Sequence, residues 1–362
     1  MTTGNTSQQP SFRDAISTVD KEGKRIWLYP TKPSGRFFNA RKVASVLLLA
    51  FLFGAPFLTV GGQPFLLFDV IDRKFVIFGS LFVPQDFHLF GLGMLLFFVF
   101  VVLFTVVYGR LWCGWACPQT IFMEMLYRRI EYWIEGDAPA QRRLDKAPWN
   151  AEKIRKKAFK HALFLALSLL LANMFLAYFI GVERLKGMIT RPPGENWGTF
   201  LAVAATTGII YYIYARFREQ VCTTFCPYGR LQGVLLDKRS VNVSYDYVRG
   251  EPRGKLKKGA DHAALGDCVD CGLCVRVCPT GIDIRNGTQL ECVNCTACID
   301  ACDSIMDQVG KPRGLVRYAS EEEIATGKSS LVNARSIAYT VVLLGLMGAM
   351  GFLLTSRSEL EA

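Results

Sequence analysis

The sequence predicts a polytopic α-helical membrane protein, five transmembrane helices of which four form two repeated hairpins, with an inserted cysteine-rich α+β module. Three observations carry this prediction. Half of the 362 residues are hydrophobic. The apolar residues gather in five runs, each near the roughly 20 residues that a hydrocarbon core requires. Twelve cysteines recur in short, repeated spacings beside those runs.

Residues 1–41 are polar and basic, and no small-residue cleavage site follows the first apolar run, so that run is expected to act as a signal anchor rather than a cleaved leader. The spans are expected at about 42–60, 88–108, 161–181, 197–215 and 335–355. Lys21, Lys24, Arg25, Arg36, Arg41 and Lys42 precede the first span, and Arg128, Arg129, Arg142, Arg143, Lys156 and Lys157 lie between the second and third. The loops after the first and third spans carry fewer, namely Arg73 and Lys74, and Arg184, Lys186 and Arg191. The positive-inside rule then places the N-terminus and the cysteine-rich module in the cytoplasm and the C-terminus outside. The net charge of +11 is accounted for by these loops, so no nucleic-acid partner is expected. The chain divides into a cytoplasmic segment 1–41, a hairpin 42–118, an amphipathic helix with a basic loop 119–160, a second hairpin 161–227, the cytoplasmic module with its flanks 228–334, and a last span with its tail 335–362.

The module carries Cys268, Cys271, Cys274 and Cys278-Pro279, then Cys292, Cys295, Cys298 and Cys302. Each set reads C-x2-C-x2-C-x3-C, the spacing of a two-cluster ferredoxin, in which three thiolates hold one cubane and the fourth completes the other. Cys268, Cys271, Cys274 and Cys302 are therefore assigned to one [4Fe-4S] cluster, and Cys278, Cys292, Cys295 and Cys298 to the second. The crossover makes a 2[4Fe-4S] ferredoxin-like domain. Structural zinc favours two separated pairs per ion and fits this run poorly. Gly272, Thr296 and Ala297 are small enough for backbone N–H groups to approach the cluster sulfurs. Asp303 follows Cys302 where proline is usual, which opens the question of the local turn.

The other cysteines form two copies of C-x3-C-P: Cys113 and Cys117 before Pro118, Cys222 and Cys226 before Pro227. Each copy follows the second span of a hairpin, so two parallel repeats would gather four thiols at the cytoplasmic boundary. Proline favours the first helical position, which puts Cys117 and Cys226 at helix N-termini, where a thiolate is favoured. A redox or metal role is expected there, with copper or a further metal centre as the occupant, since thiolates suit Cu(I), zinc and iron-sulfur groups alike. Met123 and Met125 are candidate thioether ligands or plain apolar filling. After Pro118, Ile121, Phe122, Met125, Leu126, Ile130, Trp133 and Ile134 recur at helical spacing, with Glu124, Arg128 and Glu131 opposite, as on a helix lying at the inner surface.

Three histidines, His88, His161 and His262, offer no pair placed to clamp a haem within the bilayer. No dinucleotide fingerprint or Walker loop is present, so the electron donor is either an unidentified cytoplasmic partner or a quinol. The spans lack charged residues, which argues against an ion-coupled transporter. Residues from Asp69 to Phe87 read as a periplasmic hairpin.

With these features the sequence resembles the CcoG family, also called FixG or RdxA, of cytochrome c oxidase accessory proteins. The resemblance rests on the cysteine motifs and on two flanks, Val243-Ser244-Tyr245-Asp246-Tyr247-Val248-Arg249-Gly250-Glu251-Pro252-Arg253-Gly254 and Lys311-Pro312-Arg313-Gly314-Leu315-Val316-Arg317-Tyr318-Ala319-Ser320-Glu321. It covers about residues 25–357. It implies a bacterial cytoplasmic-membrane oxidoreductase that reduces Cu(II) to Cu(I) for assembly of cbb3-type oxidase, with copper-trafficking proteins and oxidase subunits as partners. Members also carry a C-terminal periplasmic immunoglobulin-like domain, whereas here Thr355 to Ala362 follow the last span. Two rivals are a quinol-linked electron-transfer subunit of the NapH or NosR type, which shares paired C-x3-C-P motifs, and a non-catalytic copper chaperone or assembly scaffold.

Overall fold

The computed structural model describes residues 18–355, apart from 20–21, 23, 70–73, 78, 83–86, 193, 195, 256–263 and 329–333. Its elements run in the order α1 (Arg36–Gly54), β1 (Thr59–Val60), β2 (Gln63–Pro64), β3 (Leu66–Asp69), β4 (Lys74–Ile77), β5 (Ser80–Phe82), α2 (Phe87–Tyr108), α3 (Leu111–Trp115), α4 (Pro118–Ile121), α5 (Arg128–Ile134), α6 (Ala138–Lys146), α7 (Ala151–Ile180), α8 (Val182–Ile189), α9 (Trp197–Tyr212), α10 (Pro227–Leu235), β6 (Asn242–Tyr245), α11 (Tyr247–Gly250), α12 (Leu273–Arg276), α13 (Ala297–Val309), β7 (Val316–Ala319), α14 (Glu321–Thr326) and α15 (Ala334–Thr355). Five helices among the described residues are long and apolar enough to cross a membrane: Arg36–Phe57, Leu89–Tyr108, Ala151–Ile180, Trp197–Phe217 and Ala334–Leu353.

The third of these begins ten residues earlier than its apolar run. Asn150 caps it by accepting from the Lys153 N–H at 2.8 Å, and Gly181, at φ 79°, ends it. Thirty residues make about 45 Å of helix, longer than a hydrocarbon core of about 30 Å. The surplus is the charged first part that carries Lys153, Lys156, Lys157 and Lys160.

α7 lies along α9, and α2 lies along α15 rather than along α1, its neighbour in sequence. Gly93 permits that approach, since a Cβ there would already touch the Met350 methyl at 3.3 Å. At one end of the bundle, β3, β4 and β5 form an antiparallel sheet in that order, with Asp69 in register with Lys74, and β3 rests on α7. The hairpin expected from Asp69 onward thus starts at Leu66 and has three strands, its first turn lying outside the described residues.

The cysteine-rich module sits at the opposite end. The two flanks that carry the family resemblance pair with each other: β6 and β7 are antiparallel, Val243 opposite Tyr318. Their inward residues Val243, Tyr245 and Val316 form one core with Ile282, Ile284, Ile299 and Met306. Asp303 lies within the continuous helix α13, where it accepts from the Gly314 N–H at 3.0 Å. Proline there would remove a helical hydrogen bond and clash with the preceding turn, which is why this position departs from the ferredoxin pattern.

The stretch after Pro118 is not a surface helix with its charges in water. It runs through α4, a π-turn at Phe122–Tyr127 and α5. Arg128 and Glu131 are 1% and 4% exposed, whereas Trp133 is 72% exposed. The charged side is turned inward because it meets opposite charges: Arg218 pairs with Glu131 at 2.8 Å, Arg128 with Glu124 at 3.2 Å, and Lys160 with Glu135 at 2.9 Å.

Candidate iron-sulfur and thiol site

Each cysteine set opens on a loop with the same backbone signature. Between Cys268 and Cys274, Asp270 and Gly272 have φ of 49° and 65°; between Cys292 and Cys298, Asn294 and Thr296 have φ of 52° and 64°. Alternating hand along such a loop turns successive N–H groups toward one concave side, a cradle for negative charge. Gly272 adopts this at no steric cost, and Asp and Asn tolerate it. Thr296 is β-branched and is held there against its preference. Its hydroxyl donates to the Cys295 carbonyl at 2.6 Å. The loops feed α12, which carries Cys274, and α13, which carries Cys298 and Cys302.

The thiols stand around two enclosed spaces. Cys268, Cys271, Cys274 and Cys302 line one, with Tyr245 and Leu315. Cys278, Cys292, Cys295 and Cys298 line the other, with Val243 and Ile282, and Cys274 borders it. The four thiols of each set are distributed around one shared space. Burial pushes Cys274 and Cys295 up to about 11, and Cys292 and Cys302 up to about 12. Thiols so placed become thiolates when a bound metal supplies the compensating charge. Both sets fit a [4Fe-4S] group in ligand number, enclosure and inward N–H dipoles.

The two C-x3-C-P copies share one local geometry. The Cys117 N–H donates to the Trp112 carbonyl at 2.9 Å and the Cys226 N–H to that of Val221 at 2.8 Å, each five residues back. Cys117 and Cys226 are both extended, at ψ 123° and 112°, and the next proline starts α4 or α10. Both cysteines therefore sit at helix N-termini. Cys113 and Cys222 pack against a cluster of Val277, Val293, Cys295, Ala297 and Ala301 that includes the second ferredoxin loop. Burial, then crowding by Cys117, pushes Cys113 up to about 11 and Cys222 up to about 12. Met123 is apolar filling beside Tyr127, Phe164 and Tyr214, and Met125 is buried as well.

What joins the thiol motifs to the module is a set of residues that no local spacing marks. Arg41, 3% exposed, donates from Nε to the Gly114 carbonyl at 2.9 Å and from Nη1 to the Cys295 carbonyl at 2.8 Å. Arg110 donates to the carbonyls of Leu290 and, at 2.6 Å, Gly229. The Trp115 indole donates to the Tyr318 hydroxyl at 2.9 Å, which donates to the Asn294 carbonyl at 3.3 Å. Gln232 is fully buried and accepts from Cys113 Sγ at 3.5 Å. The Arg218–Glu131 pair and Glu219, which meets Arg25 at 2.8 Å, tie the segment after the first motif to the one before the second. Of the histidines, His161 is exposed, its Nδ1 2.9 Å from the Tyr211 hydroxyl; the His88 side chain and His262 lie outside the described residues.

A 4Fe-4S dicluster domain matches residues 217–321, and a 4Fe-4S binding domain matches residues 90–138. With five membrane-length helices and enclosed four-cysteine sites, the chain is a membrane iron-sulfur electron-transfer protein. It is 39% identical to the nitrogen fixation protein FixG of Rhizobium meliloti over 88% of this chain and 64% of FixG. Against RdxA and RdxB of Cereibacter sphaeroides the identities are 38% and 36%, over 81% and 93% of this chain and 62% and 74% of theirs. The chain belongs to the FixG/RdxA family, and it spans somewhat less than two thirds of the length of FixG and RdxA. No solved structure matches it.

Proposed function

We propose that this is an oxidoreductase of the bacterial inner membrane that reduces Cu(II) to Cu(I) in support of cbb3-type oxidase assembly. The N-terminus and the module face the cytoplasm, and the two C-x3-C-P motifs act as a repeated pair. Cys268, Cys271, Cys274 and Cys302 hold one [4Fe-4S] cluster, and Cys278, Cys292, Cys295 and Cys298 the second. When bound, these clusters supply one-electron storage at low potential.

The observation that carries the reading is the contact between the first thiol motif and the second ferredoxin loop. Gly114 has no side chain, so its backbone lies directly on Val293 and Asn294. Arg41 holds Gly114 and Cys295 from one guanidinium. This supports a dry, short junction between the ferredoxin and Cys113, Cys117, Cys222 and Cys226. Reduction is assigned to those four thiols: each Cu(II) takes up one electron, and the Cu(I) formed is the state that thiolates prefer.

The test is to convert Cys117 and Cys226 to serine in the full chain. The expected result is unchanged iron content with loss of Cu(II) reduction, followed with a Cu(I)-specific chromophore. Unchanged reduction would remove these thiols from the chemistry.

A further inference from the structure

Where α2 meets α10, beside the first thiol motif, lies a groove of about 510 Å³. Phe97, Phe98, Val101, Phe104, Trp112 and Leu231 line it. Small-molecule sites run from about 300 to 1,000 Å³, with aromatic walls and a few placed polar groups. This groove has that character, and its outer wall faces where lipid would lie, Phe97 and Phe98 being more than half exposed.

Its polar atoms are few. The Tyr228 hydroxyl is 2.8 Å from Thr105 Oγ1, and Thr105 gives its own proton to the Val101 carbonyl at 2.8 Å. The phenol therefore donates to Thr105 and retains lone pairs for another donor; by turning, it can donate instead. One helical turn further along α10 from Tyr228, Gln232 is fully buried, with its Oε1 on Cys113 and its amide turned toward the Tyr228 hydroxyl. Tyr228 and Gln232 thus stand in sequence between the groove and Cys113.

We propose that this groove binds an isoprenoid quinone, its ring against Trp112 and Tyr228 and its tail leaving along Phe97 and Phe98 into the bilayer. A flat ring suits aromatic walls, a ring oxygen suits the one phenol, and an isoprenoid chain suits the lipid-facing exit. A phospholipid headgroup is disfavoured because no charged side chain lines the groove among the described residues. The inference deepens the reading above by giving the boundary thiols a lipid-soluble redox partner, and it rests on that reading only for the purpose of binding.

The full chain in detergent would be titrated with decylubiquinone while tryptophan fluorescence is followed. Saturable quenching is expected, absent in Trp112→Phe. Val101→Phe, which puts a ring into the groove, is expected to weaken binding by about tenfold or more, and Tyr228→Phe by about three- to tenfold, the loss of one hydrogen bond. Iron content is measured alongside to show that each variant folds. Quenching that never saturates, equal binding in Val101→Phe, or equal displacement by a brominated phospholipid would overturn the proposal. Cu(II) reduction is assayed separately: quinone binding without copper reduction defeats the copper reading and leaves this site standing, and the converse result defeats this site alone.

Discussion

Gly114 lies flat on Asn294: a Cβ added at Gly114 would stand 2.4 Å from the Asn294 carbonyl oxygen, with the Val293 carbonyl at 2.7 Å. Both obstacles are backbone, so neither rotates away. Gly114→Ala should cost about 1–3 kcal/mol as an overpacked contact and push the thiol motif off the ferredoxin loop. Iron content is expected to hold while Cu(II) reduction falls at least about tenfold. Full activity in this variant would show that the contact is not part of the path.

The first membrane helix is capped by the module. Asp300 on α13 accepts from the Phe37 and Phe38 N–H groups at 3.1 and 2.7 Å, while α1 has no side-chain cap of its own. Asp300→Ala should lose about 0.5–2 kcal/mol, as an N-cap does. Asp300→Asn should retain part of it. Heat denaturation of the two variants in detergent gives the ranking.

The Arg218–Glu131 pair makes two hydrogen bonds, at 3.1 and 2.8 Å, with both side chains buried. Removing one partner leaves a buried charge, so Glu131→Leu alone should destabilise by about 3–5 kcal/mol. Adding Arg218→Met is expected to restore much of the loss. A double variant no better than the single would show that the rest of the network, Glu219 and Arg128, carries the load.

Thiol reactivity gives a pH signature. In the metal-free chain, burial raises Cys113 from the ordinary 9.0 to about 11 and Cys222 to about 12. At pH 8 the Cys113 thiolate should be about 100-fold scarcer than in the unfolded chain, and alkylation by iodoacetamide correspondingly slower. The folded state holds these protons more tightly, so their contribution to stability is full below pH 9 and lost as pH rises through about 11 to 12. Rapid labelling of both at pH 8 would contradict their burial.

Removing iron should loosen one end of the molecule and not the other. The module's core is built around the two cysteine-lined spaces, whereas α7 packs along the span Trp197–Phe217, with Phe164, Leu171 and Tyr214 in one core. After chelation, proteolysis is expected first within the 4Fe-4S dicluster region 217–321. Equal sensitivity throughout would show that the module folds without metal.

The sequence by itself determined whatever depends on near neighbours. Apolar runs marked the five membrane-length helices, and proline after cysteine marked the starts of α4 and α10. The regular C-x2-C-x2-C-x3-C spacing put three of each four cysteines within seven residues, and so on one loop apiece. Tertiary structure decided which distant surfaces meet. Asp300 caps a helix 262 residues away, and Arg41 reaches a carbonyl 254 residues away. Neither residue belongs to a motif, and each is an ordinary charge until the fold buries it. The same holds for the face of Glu124, Arg128 and Glu131: helical periodicity identified it as polar, but water and a buried counter-charge satisfy such a face equally well, and only packing against Arg218 and Glu219 chose the second. The packing of Cys113 and Cys222 against the second ferredoxin loop is likewise a property of that tertiary fold.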